Sequence, residues 1–471
     1  MHFEDPEFAR SGDAKADSGP WYKDLTRYHW FVLIVAALGW MFDTMDQQLF
    51  TLARKPAMIE LLTIKGKEPI LPLPGSVAEA EGRSTMIFML GWAIGGLCFG
   101  VLGDRIGRAK TMMLTILTYS AFTGLSALSW DVWSFSFFRF LTGLGVGGEF
   151  AVGVSLVAEV IPDRARSYAL GWVQAMSAVG NMTAALMGMG LGKLQESGAV
   201  GSAWRWMFVI GMAPALLALL IRRRLKEPEK WKAATQAEDG LASPESKAGS
   251  ISELFRNPRW RRNAIVGMIL GFSGVVGLWG IGFFSYGLIS AVFKADMEAK
   301  GLSPEFIKGR LTFLVGLTSL FQNLGGFFGV YAFTRVTAHI GRKPAFAISF
   351  LLAMTATAGT FWFINSVDDL FWMIPLMGFC QMTLFGGYAI YFPELFPTRL
   401  RSTGTSFCYN VGRLVAAIGP LFLGFLTSRV YIGYGEIDAR RYAGVTMCLV
   451  FLVGMAALPF APETKGKPLP E

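Results

Sequence analysis

The stretch GDRIGRAK, residues 103–110, returns in altered form as TAHIGRKP at residues 337–344. Gly107 corresponds to Gly341 and Arg108 to Arg342, an offset of about 234 residues. A second pair repeats the interval. AEVIPDRARS (158–167) and PELFPTRLRS (393–402) align Glu159 with Glu394, Arg166 with Arg401 and Ser167 with Ser402, offset by about 235 residues. One interval met at two separate places argues that the chain is built from two copies of one unit in the same orientation. One position breaks the symmetry: Asp104 is matched by Ala338 in the second copy. Any role that needs this carboxylate is therefore expected only in the first half.

What surrounds these motifs is oily. Of 471 residues, 53% are hydrophobic and 16% charged, against about 25% charged in soluble domains. Apolar runs of roughly 20 residues, the length a helix needs to cross a bilayer, recur near 30–53, 84–103, 109–129, 133–158, 168–191 and 204–222. They continue near 263–293, 310–336, 345–364, 370–392, 404–431 and 442–461. The expected fold class is an all-α membrane protein with twelve transmembrane helices in two six-helix, pseudo-symmetric bundles. The parts read as an N-terminal tail (1–28), a first bundle (29–225), a linker (226–262), a second bundle (263–462) and a short tail (463–471). The linker contains TQAEDGLASPESKAGS, flexible by composition, and ISELFRNPRW, suited to a short surface helix.

The net charge of +9 sits in loop clusters such as RRRLKEPEKWK (222–232) and RNPRWRR (256–262). That pattern sets membrane orientation and is no footprint for nucleic acid. It puts the linker in the cytoplasm. An even number of spans then puts both termini there too, in a protein of the inner membrane, with the loop 55–82 outside. The four cysteines lie in apolar stretches without metal-like spacing. There is no Walker motif, no HExxH and no nucleophile elbow, so neither an enzyme nor an ATP-driven pump is expected, and no cofactor beyond protons as coupling ion. GLGVGG (143–148) matches GxGxxG formally, but no strand precedes it and it falls inside a span. Close helix packing through small residues is the better reading.

GVLGDRIGRAK resembles the signature loop of the major facilitator superfamily. RFLTGLGVGGEF, AEVIPDRARS and WRWMFVIGMAPALL resemble its sugar-porter and metabolite:proton symporter branches, and FPTRLRSTG its organic-ion branch. The resemblance covers essentially the whole chain. It implies a secondary transporter that works by alternating access, with its substrate site at the midplane between the halves. It also implies a gating set at the cytoplasmic edge: Asp104, Arg105 and Arg108, with the pairs Glu159–Arg166 and Glu394–Arg401 forming as that side closes. The plainer alternative is that these charges only anchor loops.

GWMFDTMDQQLF (39–50) places Asp43 and Asp46 inside the first span. At 1.5 Å per residue they lie about 20 and 24 Å from the cytoplasmic edge, three apart and so on one helical face. A charge in hydrocarbon costs at least ~2.5 kcal/mol on insertion scales, so such residues face a cavity or a partner. Arg139, about 10 Å below the outer end of the fourth span, reaches a similar depth. Burial and mutual repulsion disfavour two neighbouring negative charges while a guanidinium favours them, a balance suited to taking up and releasing a proton. Glu149 is a third buried acid. Asp46 and Asp43 are preferred over Glu149 as the proton carrier, and a static Asp–Arg packing pair is the alternative.

Arg413, in STGTSFCYNVGRLVAAIGP, lies about 15 Å into the eleventh span, near the middle of a ~30 Å core. No acid lies within that span, and a guanidinium fork matches a carboxylate. The organic-ion resemblance implies Arg at this place in anion carriers. Arg413 therefore contacts an organic anion, or else it pairs with a first-half acid such as Asp43. Tyr409, Asn410, Trp279, Phe283, Tyr286, Gln322, Asn323, Gln381 and Tyr388 lie at useful depth for a pocket that mixes apolar walls with a few polar groups. Gln174 and Asn181 are weaker candidates. Together these readings give a proton-coupled symporter of a small organic anion, working as a monomer in the bilayer, with uptake the expected direction. The rivals are a sugar porter and a non-transporting nutrient sensor.

Overall fold

The computed structural model describes residues 20–63, 74–233, 248–416, 422–423 and 425–470. Most of the N-terminal tail, of the KGKEPILPLPG loop and of TQAEDGLASPESKAGS lies outside the described residues. The described elements are helical, with no strand among the described residues. The first five spans are Arg27–Thr63, Pro74–Ile106, Arg108–Ser126, Val132–Val160 and Asp163–Glu196. The sixth is broken into Ala203–Gly211 and Ala215–Arg224. A short helix, Ile251–Arg256, forms in ISELFRNPRW as its sequence suggests.

The seventh span runs Pro258–Val275, passes through a π-helical stretch at Val276–Ile281 and continues as Gly282–Ala299. Pro304–Ile340, Arg342–Phe363 and Leu370–Glu394 follow. The eleventh starts as Arg401–Ser406, loosens into a π-helical stretch at Phe407–Val411 and resumes at Gly412–Ala416. The twelfth comprises Glu436–Met447 and Val450–Ala457. Six helices among the described residues are long and apolar enough to cross a membrane by length and composition alone.

Several helices outrun their apolar cores, a correction to the expected spans. The first reaches Thr63 rather than 53. Ala53, Ala57, Met58 and Leu61 continue a buried face at helical spacing, and Glu60 ties its end to the sixth span through Ser202, Trp204 and Arg205. The second, fifth, seventh and eighth also extend past the expected limits, because hydropathy marks only the lipid-immersed part of a helix. The sixth breaks just before Ala215, at Pro214, which has no N–H to continue the ladder.

The duplication is visible in the packing. A Cβ on Gly143 or Gly147 would stand 2.4 Å from Phe88 O or 2.0 Å from Trp92 O, so the second and fourth spans touch backbone to backbone. In the second half a Cβ on Gly325 or Gly378 would stand 2.0 Å from Pro375 O or Gln322 O, joining the eighth and tenth spans in the same way. GLGVGG is thus a packing motif. Gly107 and Gly341 cap the third and ninth spans at φ of 111° and 95°, values that glycine alone adopts freely. The loops holding them lie at one end of the molecule, called the motif face below.

Candidate functional site

Among the described residues, buried charged groups gather at the motif face and inside the first bundle. At the motif face, Arg108 donates to Gly103 O (2.8 Å) and to Glu159 Oε1 (2.9 Å), and Arg342 donates to Thr337 O (3.2 Å) and to Glu394 Oε1 (2.7 Å). The two copies thus build one motif twice. Each is braced by an acid that accepts from backbone N–H groups at a helix start: Glu227 from Ala109 and Lys110, Glu463 from Arg342 and Lys343. Burial acts to raise the Glu463 carboxyl, but the N–H groups of Arg342, Lys343, Lys465 and Thr464 hold it below the usual range. It is charged at neutral pH, and this tie loosens only as pH falls through that lowered value.

The halves are joined by Asp104 and Glu159, both buried. Asp104 accepts from Ser402 N (3.1 Å), Thr403 N (2.8 Å) and Thr403 Oγ1 (2.6 Å) at the start of the eleventh span, and pairs with Arg108 at 2.9 Å. Glu159 Oε1 takes Arg108 from its own half and Arg401 Nη1 (2.9 Å) from the other. The expected pairs Glu159–Arg166 and Glu394–Arg401 are corrected here. Arg166 ion-pairs with Asp163 and folds back onto Ala158 O (2.9 Å), while Arg401 crosses the seam and Glu394 holds Arg342. The reason is reach: each arginine caps the carbonyl eight residues before it, at Ala158 and Pro393, and only Arg401 then faces an acid of the opposite half. Arg105 donates to Ala248 O in the linker (3.3 Å).

Inside the first half Asp43, Asp46, Glu149 and Arg139 are buried, and Arg413 of the second half is buried as well. Asp46 pairs with Arg139 at 3.4 Å and accepts from Thr123 Oγ1 at 2.5 Å, while Arg139 also donates to Ser126 Oγ (2.9 Å) and Thr123 Oγ1 (3.1 Å). Glu149 Oε2 accepts from Thr115 Oγ1 at 2.5 Å. Asp43 stands apart from the arginine pair. Gln47 is its polar neighbour, and the charges it feels are those of Glu149, Asp46 and Arg413. The two aspartates of one face therefore serve different surroundings.

Arg413 lies on the Trp92 ring of the second span (3.8 Å to the centroid) and over Tyr409 (4.3 Å). Tyr409 stacks on Phe150 of the fourth span at 4.1 Å, and Phe150 packs on Trp40 at 4.8 Å. Asn410 donates to Gly147 O (3.3 Å) and Ser406 Oγ (3.0 Å). A cavity of about 10 Å³, room for at most one water, is lined by Met89, Trp92, Ala93, Asn410, Arg413 and Leu414.

In the second half, Tyr286 donates to Gln322 (2.9 Å), Gln322 to Gln381 (3.3 Å) and Gln381 to Thr357 (3.0 Å). Asn323 accepts from Asn181 of the fifth span at 2.9 Å. Tyr388 sits among Phe346, Phe385 and Phe392 and donates to Leu270 O (2.6 Å). The side chains of Trp279 and Phe283 lie outside the described residues.

Sequence reasoning did not single out Thr115, Thr123 or Ser126, although TMMLTILTYSAFTGLS is conspicuously hydroxyl-rich for a span. It also missed Trp92, Phe150, Ser402, Thr403 and Gly39. A Cβ on Gly39 would stand 2.4 Å from Glu149 Oε1 and 2.9 Å from Met112 Cε, so the glycine makes room for the carboxyl. Where the close atoms are backbone the fit is less forgiving: Gly147→Ala, whose Cβ would stand 2.0 Å from Trp92 O, should destabilise the purified protein by about 1–3 kcal/mol, the usual range for overpacking, read as a lowered melting temperature. An unchanged melt would refute the close fit.

A family model described as Major Facilitator Superfamily matches residues 76–420. The cis,cis-muconate transport protein of Acinetobacter baylyi is 29% identical over 362 residues, covering 77% of this chain and 82% of its own length. The sialic acid transporter NanX of Escherichia coli is 26% identical over 438 residues, covering 92% of this chain and 96% of its own. Among solved structures, the proton:xylose symporter XylE bound to 6-bromo-6-deoxy-D-glucose is similar in fold, with a TM-score of 0.69 at 17% identity over 94% of this chain and 98% of that one.

Proposed function

This chain belongs to the major facilitator superfamily, and on that premise we propose that it carries a small organic anion through the membrane together with protons. It is a multi-pass transporter and not an enzyme. Relatives named for muconate and sialic acid, both carboxylic acids, support a carboxylate as cargo.

The observation that carries the proposal is a charge balance: three buried carboxyls of the first half against two buried guanidiniums, one of them Arg413 from the second half. Such a site cannot gain or lose a charge cheaply. One proton on Asp43, Asp46 or Glu149 balances it. A carboxylate arriving at Arg413 then adds a negative charge and calls for a further proton. Proton and anion favour the same state of the seam, which is the linkage that symport requires. Asp43 and Glu149 are the proton carriers best supported by this arrangement, with Asp46 held by Arg139. Tyr409, Asn410 and the Tyr286–Gln322–Gln381 chain would complete the pocket as the seam widens.

Closure of the motif face through Asp104 and Glu159 is one end state of the alternating-access cycle, and breaking those bonds leads to the other. In this reading the halves on either side of residues 226–262 move against each other. The motif face is cytoplasmic, both termini lie there, and the monomer is the working unit in the inner membrane. The neutral glutamine chain also suits a sugar, which gives the second reading.

Protein in liposomes separates the two. An acidic outside should drive accumulation of carboxylates such as muconate. Asp43→Asn should lose gradient-driven accumulation by about tenfold or more, one pH unit's worth of coupling, while still exchanging label across the membrane. Accumulation of neutral sugars alone would establish the second reading, and uptake indifferent to the gradient would remove the proton.

A further inference from the structure

Away from the seam, the seventh and twelfth spans leave a groove of about 570 Å³ between them. Its walls include Ile265 and Ile269 on one side and Val453 and Ala456 on the other, and Arg261 and Arg262 stand at one end. That end is at the motif face. Arg262 Nε donates to Phe460 O at 3.0 Å, and Lys343, from the TAHIGRKP loop, reaches Pro459 O at 3.4 Å. Arg261, Ile265 and Ile269 are spaced four apart and share a helix face. A charged head group bound at Arg261 would therefore have an apolar track running about 12 Å beneath it. The seventh span also begins here, at Pro258, and the positive end of its dipole adds to the same field.

We propose that this groove binds an anionic phospholipid of the adjoining leaflet, its phosphate on Arg261 and Arg262 and an acyl chain along Ile265, Ile269 and Val453. Charge and shape both select it. A zwitterionic lipid brings its own cation to the two guanidiniums, and inorganic phosphate has nothing to place on the aliphatic track. Basic pockets between spans at a membrane edge are suited to such head groups. The lipid bridges two helices of one half and touches none of the groups assigned to substrate or protons, so the site stands whatever the cargo is.

The test uses the full chain in mild detergent, titrated with phosphatidylglycerol or phosphatidylcholine of matched chains. Retained lipid is counted by native mass spectrometry and stabilisation is followed by melting. Phosphatidylglycerol should be retained and should raise the melting temperature, whereas phosphatidylcholine should do neither. Arg261→Gln should weaken phosphatidylglycerol retention about fivefold, the worth of one basic residue near a lipid head group, with its melt in phosphatidylcholine unchanged from the parent. Ala456→Trp keeps both arginines and fills the track, and it should lose the lipid as well. Equal retention of the two lipids would overturn the proposal. So would full retention by Arg261→Gln or by Ala456→Trp, or displacement of the lipid by millimolar inorganic phosphate.

Discussion

Arg413→Ala is expected to lower carboxylate uptake on the order of a hundredfold, with the protein still folded and inserted. The guanidinium is buried, laid against Trp92 and flanked by Tyr409. It is held by aromatic faces, and a guanidinium fork matches the geometry of a carboxylate. A charge-assisted fork in such surroundings contributes about 3 kcal/mol, which sets the size of the loss. Arg413→Lys keeps the charge without the fork and should fall between the two. Ligand-induced thermal stabilisation should vanish in parallel with uptake. A variant that still binds carboxylates and accumulates them would return Arg413 to the alternative role of partner to Asp43. One that loses nothing on a neutral sugar would favour the sugar porter.

Glu159→Gln should open the motif face. One oxygen of this carboxylate accepts from Arg108 and from Arg401, and all three side chains are shut off from solvent. With the charge gone, Arg108 keeps Asp104, but Arg401 confronts Arg108 across the seam without the carboxylate that bridged them. Removing one member of a buried ionic group costs about 3–5 kcal/mol, enough to shift a two-state equilibrium by roughly 10² to 5 × 10³. The cost falls on the closed form alone, since water can reach the arginines once the halves part. Spin labels at Lys110→Cys and His339→Cys should report longer distances across the face, and transport should slow because the return step is penalised. Distances identical to the parent would mean that the cluster is mere anchoring.

The sequence made the architecture readable because it is written twice. Gly107 and Gly341, Arg108 and Arg342, Glu159 and Glu394 mark equivalent points, and a repeated interval needs no knowledge of contacts. Asp43, Asp46, Glu149 and Arg413 were also visible, since a charge deep in an apolar run is conspicuous by its cost. Pairing was not legible. Arg166 and Arg401 are equivalent in sequence, yet one turns to Asp163 and the other crosses to Glu159; the choice depends on what the opposite half presents. Depth along the first span could not divide Asp43 from Asp46 either, since what separates them is which neighbours lie around the axis. Gly39 escaped notice because one missing side chain among 55 glycines has no signature until Glu149 is seen beside it.

The imperfect copying has a mechanical result. Asp104 hooks onto Ser402 and Thr403 along the edge where the second and eleventh spans meet, whereas Ala338 offers nothing of the kind along the opposite edge. There the fifth and eighth spans meet through Asn181 with Asn323, Gly171 against Thr334 and Trp172 beside Phe327. Parting the first edge separates buried ions from ions of the opposite charge; at the second the charges that cross, Arg342 to Ser167 Oγ (2.8 Å) and Arg335 over the Tyr168 ring, meet neutral groups. The resistance is thus that of a book with a clasp on one margin and a spine on the other.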